Sequence, residues 1–217
     1  KIQNTECRIL NAQITVGAGV NLSWLVKEVA KSGLAGLEIC AGIPGTVGGA
    51  VVGNAGTKNE WIGNLVEEVE MVDQVGEVKK VSARDCQFGY RKSRFKNSQE
   101  IILSVVFRLT PDNSENIEKK MRNYLATRAG QPKEPSAGSI FKNPSPDLPA
   151  GKLIEEANLK GKQIGQAQIS PKHANFIVNL GGASCQDVLE LIRLAKQKVG
   201  EKFGVKLEEE IKIVGEF

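Results

Sequence analysis

The sequence predicts an α+β protein in two lobes. Strand-like and helix-like segments both run along the chain, with no internal repeat and no low-complexity tract. The tract Thr110-Pro-Asp-Asn-Ser114 combines a proline, a polar cluster and helix-capping residues, the chemistry of a boundary. Beyond it, residues 130–147 are rich in Gly, Pro and Ser and read as a long loop.

Arg8 to Val16 reads as a strand on Ile9, Ile14 and Val16, and Gly17, Gly19 and Asn21 follow as a turn. Leu22 to Lys31 reads as a helix, because Leu22, Leu25, Val26, Val29 and Ala30 share a face, with Gly33 as its stop. Residues 41–56 form a glycine-rich loop. Strands are expected over Val66–Val72 and Glu77–Val81, joined by a turn at Gln74–Gly76, and a third over Glu100–Leu109. A helix over Glu115–Arg128 aligns Ile117, Met121, Tyr124 and Leu125. A short helix at Lys152–Ala157 and a strand at Ala174–Leu180 follow. Cys185 to Phe203 is the clearest helix: Ser184 and Asp187 cap it, Val188, Leu191, Ile192, Ala195, Val199 and Phe203 form its stripe, and Gly204 ends it. Val205–Val214 reads as a last strand, with Val205, Leu207, Ile211 and Ile213 on one face and Glu210 on the other.

Composition excludes several classes. The chain has 217 residues, 41% hydrophobic and 25% charged, ample for a packed core. No apolar run reaches the roughly 18 residues of a membrane helix. A net charge of +4 with 5% aromatics lacks the dense basic, aromatic-interleaved surface of a nucleic-acid binder; it fits an ordinary solvated surface or, functionally, a phosphate-bearing ligand. The four cysteines, at 7, 40, 86 and 185, are too far apart for a CxxC motif and read as free thiols in a reducing cytoplasm. One histidine, His173, cannot build a multi-histidine metal site.

Five segments carry candidate chemistry. The first, Gly36-Leu-Glu-Ile-Cys-Ala-Gly-Ile-Pro-Gly-Thr-Val-Gly-Gly-Ala50 running on to Asn54-Ala-Gly56, places six glycines between Gly42 and Gly56. Glycine lets the backbone take positive φ and approach a ligand closely. The spacing is neither a dinucleotide fingerprint nor a P-loop. The second is Cys86-Gln-Phe-Gly-Tyr-Arg-Lys-Ser93, whose Arg91 could hold a carboxylate through two donors. The third is Ala137-Gly-Ser-Ile-Phe-Lys-Asn-Pro144, with no nucleophile elbow around Ser139. The fourth runs from Gly161 to Asn179 and holds His173 and Asn175. The last is Leu207-Glu-Glu-Glu-Ile-Lys-Ile-Val-Gly215. Taken singly, each also fits a bland reading as turns, a cationic surface loop, a loop serine, a structural histidine or a solvated acidic edge.

In this order the five segments resemble the UDP-N-acetylenolpyruvoylglucosamine reductases, the MurB family, of the shorter type. The resemblance implies a two-lobed FAD-binding fold of the vanillyl-alcohol oxidase and p-cresol methylhydroxylase type, followed by an α+β substrate-binding domain. It implies FAD-binding residues 1–110 and a substrate-binding domain 111–217, with the strand from 205 returning to the flavin. It places Gly42, Ile43, Pro44, Gly45, Thr46, Gly48, Gly49, Ala50, Asn54 and Gly56 near the FAD. It gives catalytic roles to Arg91, Ser139 and Glu210, with Ser139 as proton donor. It sets Tyr90, Lys142, Asn143, His173 and Asn175 near the substrate. The implied reaction uses NADPH to reduce FAD, and the reduced flavin then reduces UDP-N-acetylglucosamine enolpyruvate to UDP-N-acetylmuramate. The expected partners are therefore NADPH and a UDP-sugar, with no metal, nucleic acid, membrane or protein partner. The chain opens on Lys1 rather than Met, so the family's N-terminal lobe is expected before it. Thr57-Lys-Asn-Glu-Trp61 stands where the family continues with a Tyr-Gly pair. The remaining readings are another flavin oxidase of this fold, or a binding module without activity.

Overall fold

The computed structural model describes residues 7–10 (backbone only), 12–57 and 59–215. The chain divides into two compact units, Lys1–Ala129 and Gly130–Phe217. In the first, β1 (Cys7–Leu10) and β2 (Gln13–Gly17) form a hairpin, then come α1 (Leu22–Lys31), β3 (Leu34–Ala35) and α2 (Val47–Val52). There follow β4 (Val66–Val72), β5 (Val78–Ser82), β6 (Ile101–Arg108), β7 (Thr110–Pro111) and α3 (Ser114–Arg128). In the second lie β8 (Ser136–Ser139), α4 (Ala150–Glu156), β9 (Gln163–Ile164), β10 (Ala167–Ile169), β11 (Phe176–Asn179) and α5 (Cys185–Phe203).

The first unit is built on a five-stranded sheet in the order β1-β2-β6-β4-β5, every neighbouring pair antiparallel. Alternation along the strands sends Ile14 and Val16 of β2, Val105 and Phe107 of β6, and Val69 of β4 into the core with no exposed surface. Helix α1 covers them with Leu22, Leu25, Val26 and Val29. Each such aliphatic burial stabilises the fold by about 1.5–3 kcal/mol. The side chain of Asn21 accepts from the Trp24 amide and starts α1, and Gly33 at φ +70° ends it.

The second unit packs a four-stranded sheet, β8-β11-β10-β9, against α4 and α5. Ser184 and Asp187 form a reciprocal capping box at the start of α5, and Gly204 ends it in the left-handed conformation. Leu191, Ile192, Ala195 and Val199 are buried, while Val188 and Phe203 border the same core.

The structure departs from the sequence reading in four places. The strand expected from Arg8 to Val16 is the β1-β2 hairpin, which reverses between Leu10 and Gln13. The glycine-rich stretch contains α2, because Thr46 caps it and Val47, Ala50 and Val51 bury one side. The expected strand at 205–214 does not form among the described residues. Glu209 makes only an isolated bridge to Phe141, and Ile213 is 43% exposed, because residues 208–210 pair with one neighbouring segment over three residues. Finally, α3 belongs to the first unit, so the compact units divide at Ala129/Gly130 rather than at 110/111. Ile117 is fully buried, and Met121 and Tyr124 pack on the first core.

The cysteines give a direct check of this packing. Cys40, Cys86 and Cys185 are free. Burial pushes the Cys40 thiol up to about 12 and the Cys86 thiol up to about 11, whereas Cys185 is exposed. Since the thiolate is the nucleophile, iodoacetamide at pH 8 is expected to label Cys185 ahead of Cys40 and Cys86. Cys40 and Cys86 should react only on unfolding. Peptide mass spectrometry reads the order, and early labelling of Cys40 contradicts the packing.

Candidate functional site

In the first unit, two loops lie side by side. The Gly48 amide donates to Ala18 O at 2.8 Å, the Val47 amide to Val20 O at 3.0 Å, and the Leu22 amide to Gly45 O at 3.0 Å. This zipper needs a glycine at 48, where a methyl would lie 2.9 Å from Ala18 Cβ. Gly45 has φ +108° and open space where a side chain would project. Gly42, Pro44, Gly45, Thr46 and Gly49 are exposed and Ile43 is half-buried, which makes a strip of bare backbone along the loop. Gly48, Ala50, Asn54 and Gly56 are instead covered by the chain's own atoms. Of those four, expected beside a cofactor, Gly48 and Ala50 bond to Ala18 O and Thr46 O, and Asn54 and Gly56 lie against residues 60–63.

Gly56 is the tightest position. A methyl there would fall 2.2 Å from Glu60 O and 2.5 Å from Trp61 Cα, both backbone. Gly56→Ala is therefore expected to destabilise the first unit by about 1–3 kcal/mol or more. A urea midpoint equal to that of the parent chain contradicts this.

The turn carrying Tyr90 and Arg91 is fastened to the end of α2. Asn54, 1% exposed and at φ +45°, donates from Nδ2 to Gly89 O at 2.8 Å, and its Oδ1 accepts from the Gly63 amide at 2.9 Å. Buried Ser93 donates from Oγ to Val52 O at 2.8 Å. Between these anchors Arg91 takes φ +52°, and its guanidinium donates to Gly56 O at 3.2 Å. That guanidinium also lies 5.4 Å from the centre of the Tyr90 ring, within cation–π reach. Arg128, half-buried on α3, donates to Ile39 O at 3.2 Å; burial holds its pKa below the usual range, and the nearby Arg91 charge acts in the same direction. At the departure after Gly56, the Tyr124 hydroxyl donates to the Glu60 carboxylate.

In the second unit, the segment after β8 is clamped on both flanks. On one side the Ile140 amide donates to Asn175 O at 2.8 Å, and the Asn175 side chain accepts from the Phe141 amide and donates to its carbonyl. On the other, the Lys142 amide donates to Glu208 O at 2.9 Å and the Glu210 amide to Ile140 O at 2.7 Å. Ser139 and Glu210, both half-buried, thus sit on adjoining backbone. Lys142 Nζ lies 3.3 Å from a Glu208 carboxylate oxygen, an exposed pair weak enough to exchange for a ligand. Asn143 Oδ1 accepts from the Ala150 amide at the start of α4.

Two residues expected at a substrate have other employment. Asn175 is 3% exposed and its amide group is taken up by Phe141. His173 Nδ1 accepts from the Asn175 amide at 3.2 Å, and its ring meets Phe176 edge-on at 5.0 Å. Burial holds its pKa below the ordinary range. Asn175 thus clamps Ile140 and Phe141, while His173 holds the Asn175 amide.

Residues 131–214 match the family described as UDP-N-acetylenolpyruvoylglucosamine reductase, C-terminal domain, and residues 4–82 match an FAD binding domain. The UDP-N-acetylenolpyruvoylglucosamine reductase of Chlamydia felis is 48% identical over 203 residues, 93% of this chain and 67% of that protein. The chain belongs to the UDP-N-acetylenolpyruvoylglucosamine reductase family. The reductase of Bacillus pumilus is 43% identical over 207 residues, 94% of this chain and 68% of the relative. The crystal structure of the MurB reductase from Thermus caldophilus matches with a TM-score of 0.82 at 43% identity, over 91% of this chain and 71% of that one. The α+β class and the FAD-binding fold read from the sequence are those of this family.

The residues fit the cofactor that the family's FAD domain implies. The strip from Gly42 to Thr46 is largely exposed, with positive φ at Gly42 and Gly45, and a flat ring or a pyrophosphate can approach its backbone closely. The start of α2 is not itself an anion site, because its amides bond to Val20 O, Ala18 O and the Thr46 side chain. The sequence reading assigned no task to Ser93 or Gly63. Ser93 closes the motif that carries Arg91, and its place in that motif is the signal that could have marked it. A methyl on Gly63 would strike Phe88 and Asn54 Oδ1, a constraint visible only in three dimensions.

Proposed function

We propose that this chain reduces UDP-N-acetylglucosamine enolpyruvate to UDP-N-acetylmuramate, with FAD as cofactor and NADPH as reductant. One observation supports the reading above the others. Arg91 is held in a left-handed turn with its guanidinium against Gly56 O, where the glycine-rich segment ends. A permanent cation is thereby anchored to the segment that suits a flavin.

The substrate is a vinyl ether bearing a carboxylate. Its reduction needs a hydride at the terminal carbon and a proton at the carbon beside the carboxylate. FAD, when bound, supplies the hydride, which side chains cannot carry. The exposed backbone of Gly42–Thr46 and Gly49 would hold it. Arg91 binds the substrate carboxylate and offsets the negative charge that grows there as the enolate forms. Ser139 delivers the proton to the carbon, and Glu210 is the catalytic carboxyl on the adjoining backbone of the same unit. Tyr90, Lys142 and Asn143 hold the sugar nucleotide, with Lys142 exchanging Glu208 for phosphate. His173 and Asn175 keep the Ser139–Lys142 segment in place.

Free thiols at Cys40, Cys86 and Cys185 suit a reducing cytoplasm. Among the described residues no helix is long and apolar enough to cross a membrane.

Mass spectrometry of the sugar nucleotide after incubation with NADPH tests the reading. The product should be two hydrogens heavier, with one product molecule formed per NADPH consumed. NADPH oxidation at the expense of oxygen, with the sugar unchanged, would instead identify an oxidase of the same fold.

A further inference from the structure

The turn that presents Arg91 is closed locally by reciprocal backbone bonds between Gly89 and Lys92, at 3.0 and 3.1 Å, but its place against the rest of the unit is set from outside it. Gln87 and Arg91 both take positive φ, at +50° and +52°, conformations that side chains rarely adopt and that neighbours must impose. Three further bonds tie the turn to the Val52–Gly56 segment. Ser93 Oγ bonds Val52 O, Asn54 Nδ2 bonds Gly89 O, and Arg91 itself bonds Gly56 O. Asn54 is the hub: its other side-chain atom takes the Gly63 amide, so one buried amide group joins three stretches of chain. Asn54 is 1% exposed, so both of its side-chain bonds are made away from solvent.

We infer that Asn54 is a positioning residue for Arg91. Its side chain, with Ser93 as second anchor, fixes where the guanidinium meets the substrate carboxylate. The inference rests on the proposed role of Arg91. It departs from a role for the Asn54 side chain in touching the cofactor, because both of its polar atoms are turned inward. Misplacing a reacting group by about 1 Å can cost as much as 10²-fold in rate, so the bracket is large enough to measure.

The variant Asn54→Gly removes the bracket while tolerating the left-handed backbone. In the flavin-loaded enzyme it is expected to slow reoxidation by the enolpyruvyl nucleotide about 10- to 100-fold, and to leave reduction by NADPH within about twofold. Coupling to Arg91 is the distinguishing result. In an Arg91→Met background the same change should add less than about twofold, whereas in a Ser139→Ala background it should keep its full effect. Without flavin, hydrogen exchange of residues 87–93 should rise in Asn54→Gly while that of β6 stays unchanged. If Asn54→Gly does not fold, Ser93→Ala takes its place, with the same pattern at smaller amplitude. Equal factors in the Arg91→Met and Ser139→Ala backgrounds, or equal loss of both half-reactions, would overturn the bracket. Unchanged reoxidation in Arg91→Met alone would overturn the role of Arg91, and the bracket with it.

Discussion

Arg91→Met is expected to slow flavin reoxidation by the enolpyruvyl nucleotide about 10²–10³-fold, the usual cost of removing one donor aimed at developing charge. Methionine keeps the apolar stem, so the turn, fastened by Asn54 and Ser93, should survive. Reduction by NADPH builds no charge on the sugar nucleotide and should change by no more than a few-fold. Arg91→Lys should recover only part of the loss, because a single ammonium cannot reproduce the two-donor grip on a carboxylate. Anaerobic stopped-flow absorbance separates the half-reactions, and equal slowing of both would remove Arg91 from the substrate carboxylate.

Ser139→Ala is the second large effect. A positioned proton donor typically contributes about 10²–10⁴-fold, and its loss should fall on the same half-reaction. The variant should bind the nucleotide normally, because Ser139 sits on a segment whose backbone is clamped by Asn175 and by residues 208–210. A serine hydroxyl is a weak acid, so the proton transfer depends on its surroundings. Lys142 on the same segment and Glu210 on the adjoining one are the groups able to tune it. Unchanged reoxidation in Ser139→Ala would assign the proton to another donor. Equal loss of both half-reactions would make the serine structural.

The helices were the most legible part of this chain. Leu22–Lys31 and Cys185–Phe203 carry an apolar stripe between a polar cap and a glycine stop, and local chemistry of that kind survives any tertiary context. The β4-β5 hairpin was legible for the same reason, through its turn residues. The C-terminal stretch was not: Leu207, Ile211 and Ile213 alternate like a strand, but pairing is a property of the partner, and residues 208–210 find one on a single side. Helix α2 was hidden because glycines carry no periodicity. Of the site, the segments bearing Arg91, Ser139 and Glu210 could be named from their motifs. What could not be read was whether a polar side chain faces outward or inward. Asn54 and Asn175 have the residue type of ligand-binding groups and spend it on backbone.

The central claim is that electrons pass from NADPH through a flavin held by this chain to an enolpyruvyl sugar nucleotide. An anaerobic visible spectrum, recorded with FAD, then after NADPH, then after the sugar nucleotide, tests it most directly. The account predicts bleaching of the flavin band by NADPH and its return on adding the nucleotide. A flavin that bleaches but stays reduced in the presence of the nucleotide would contradict it.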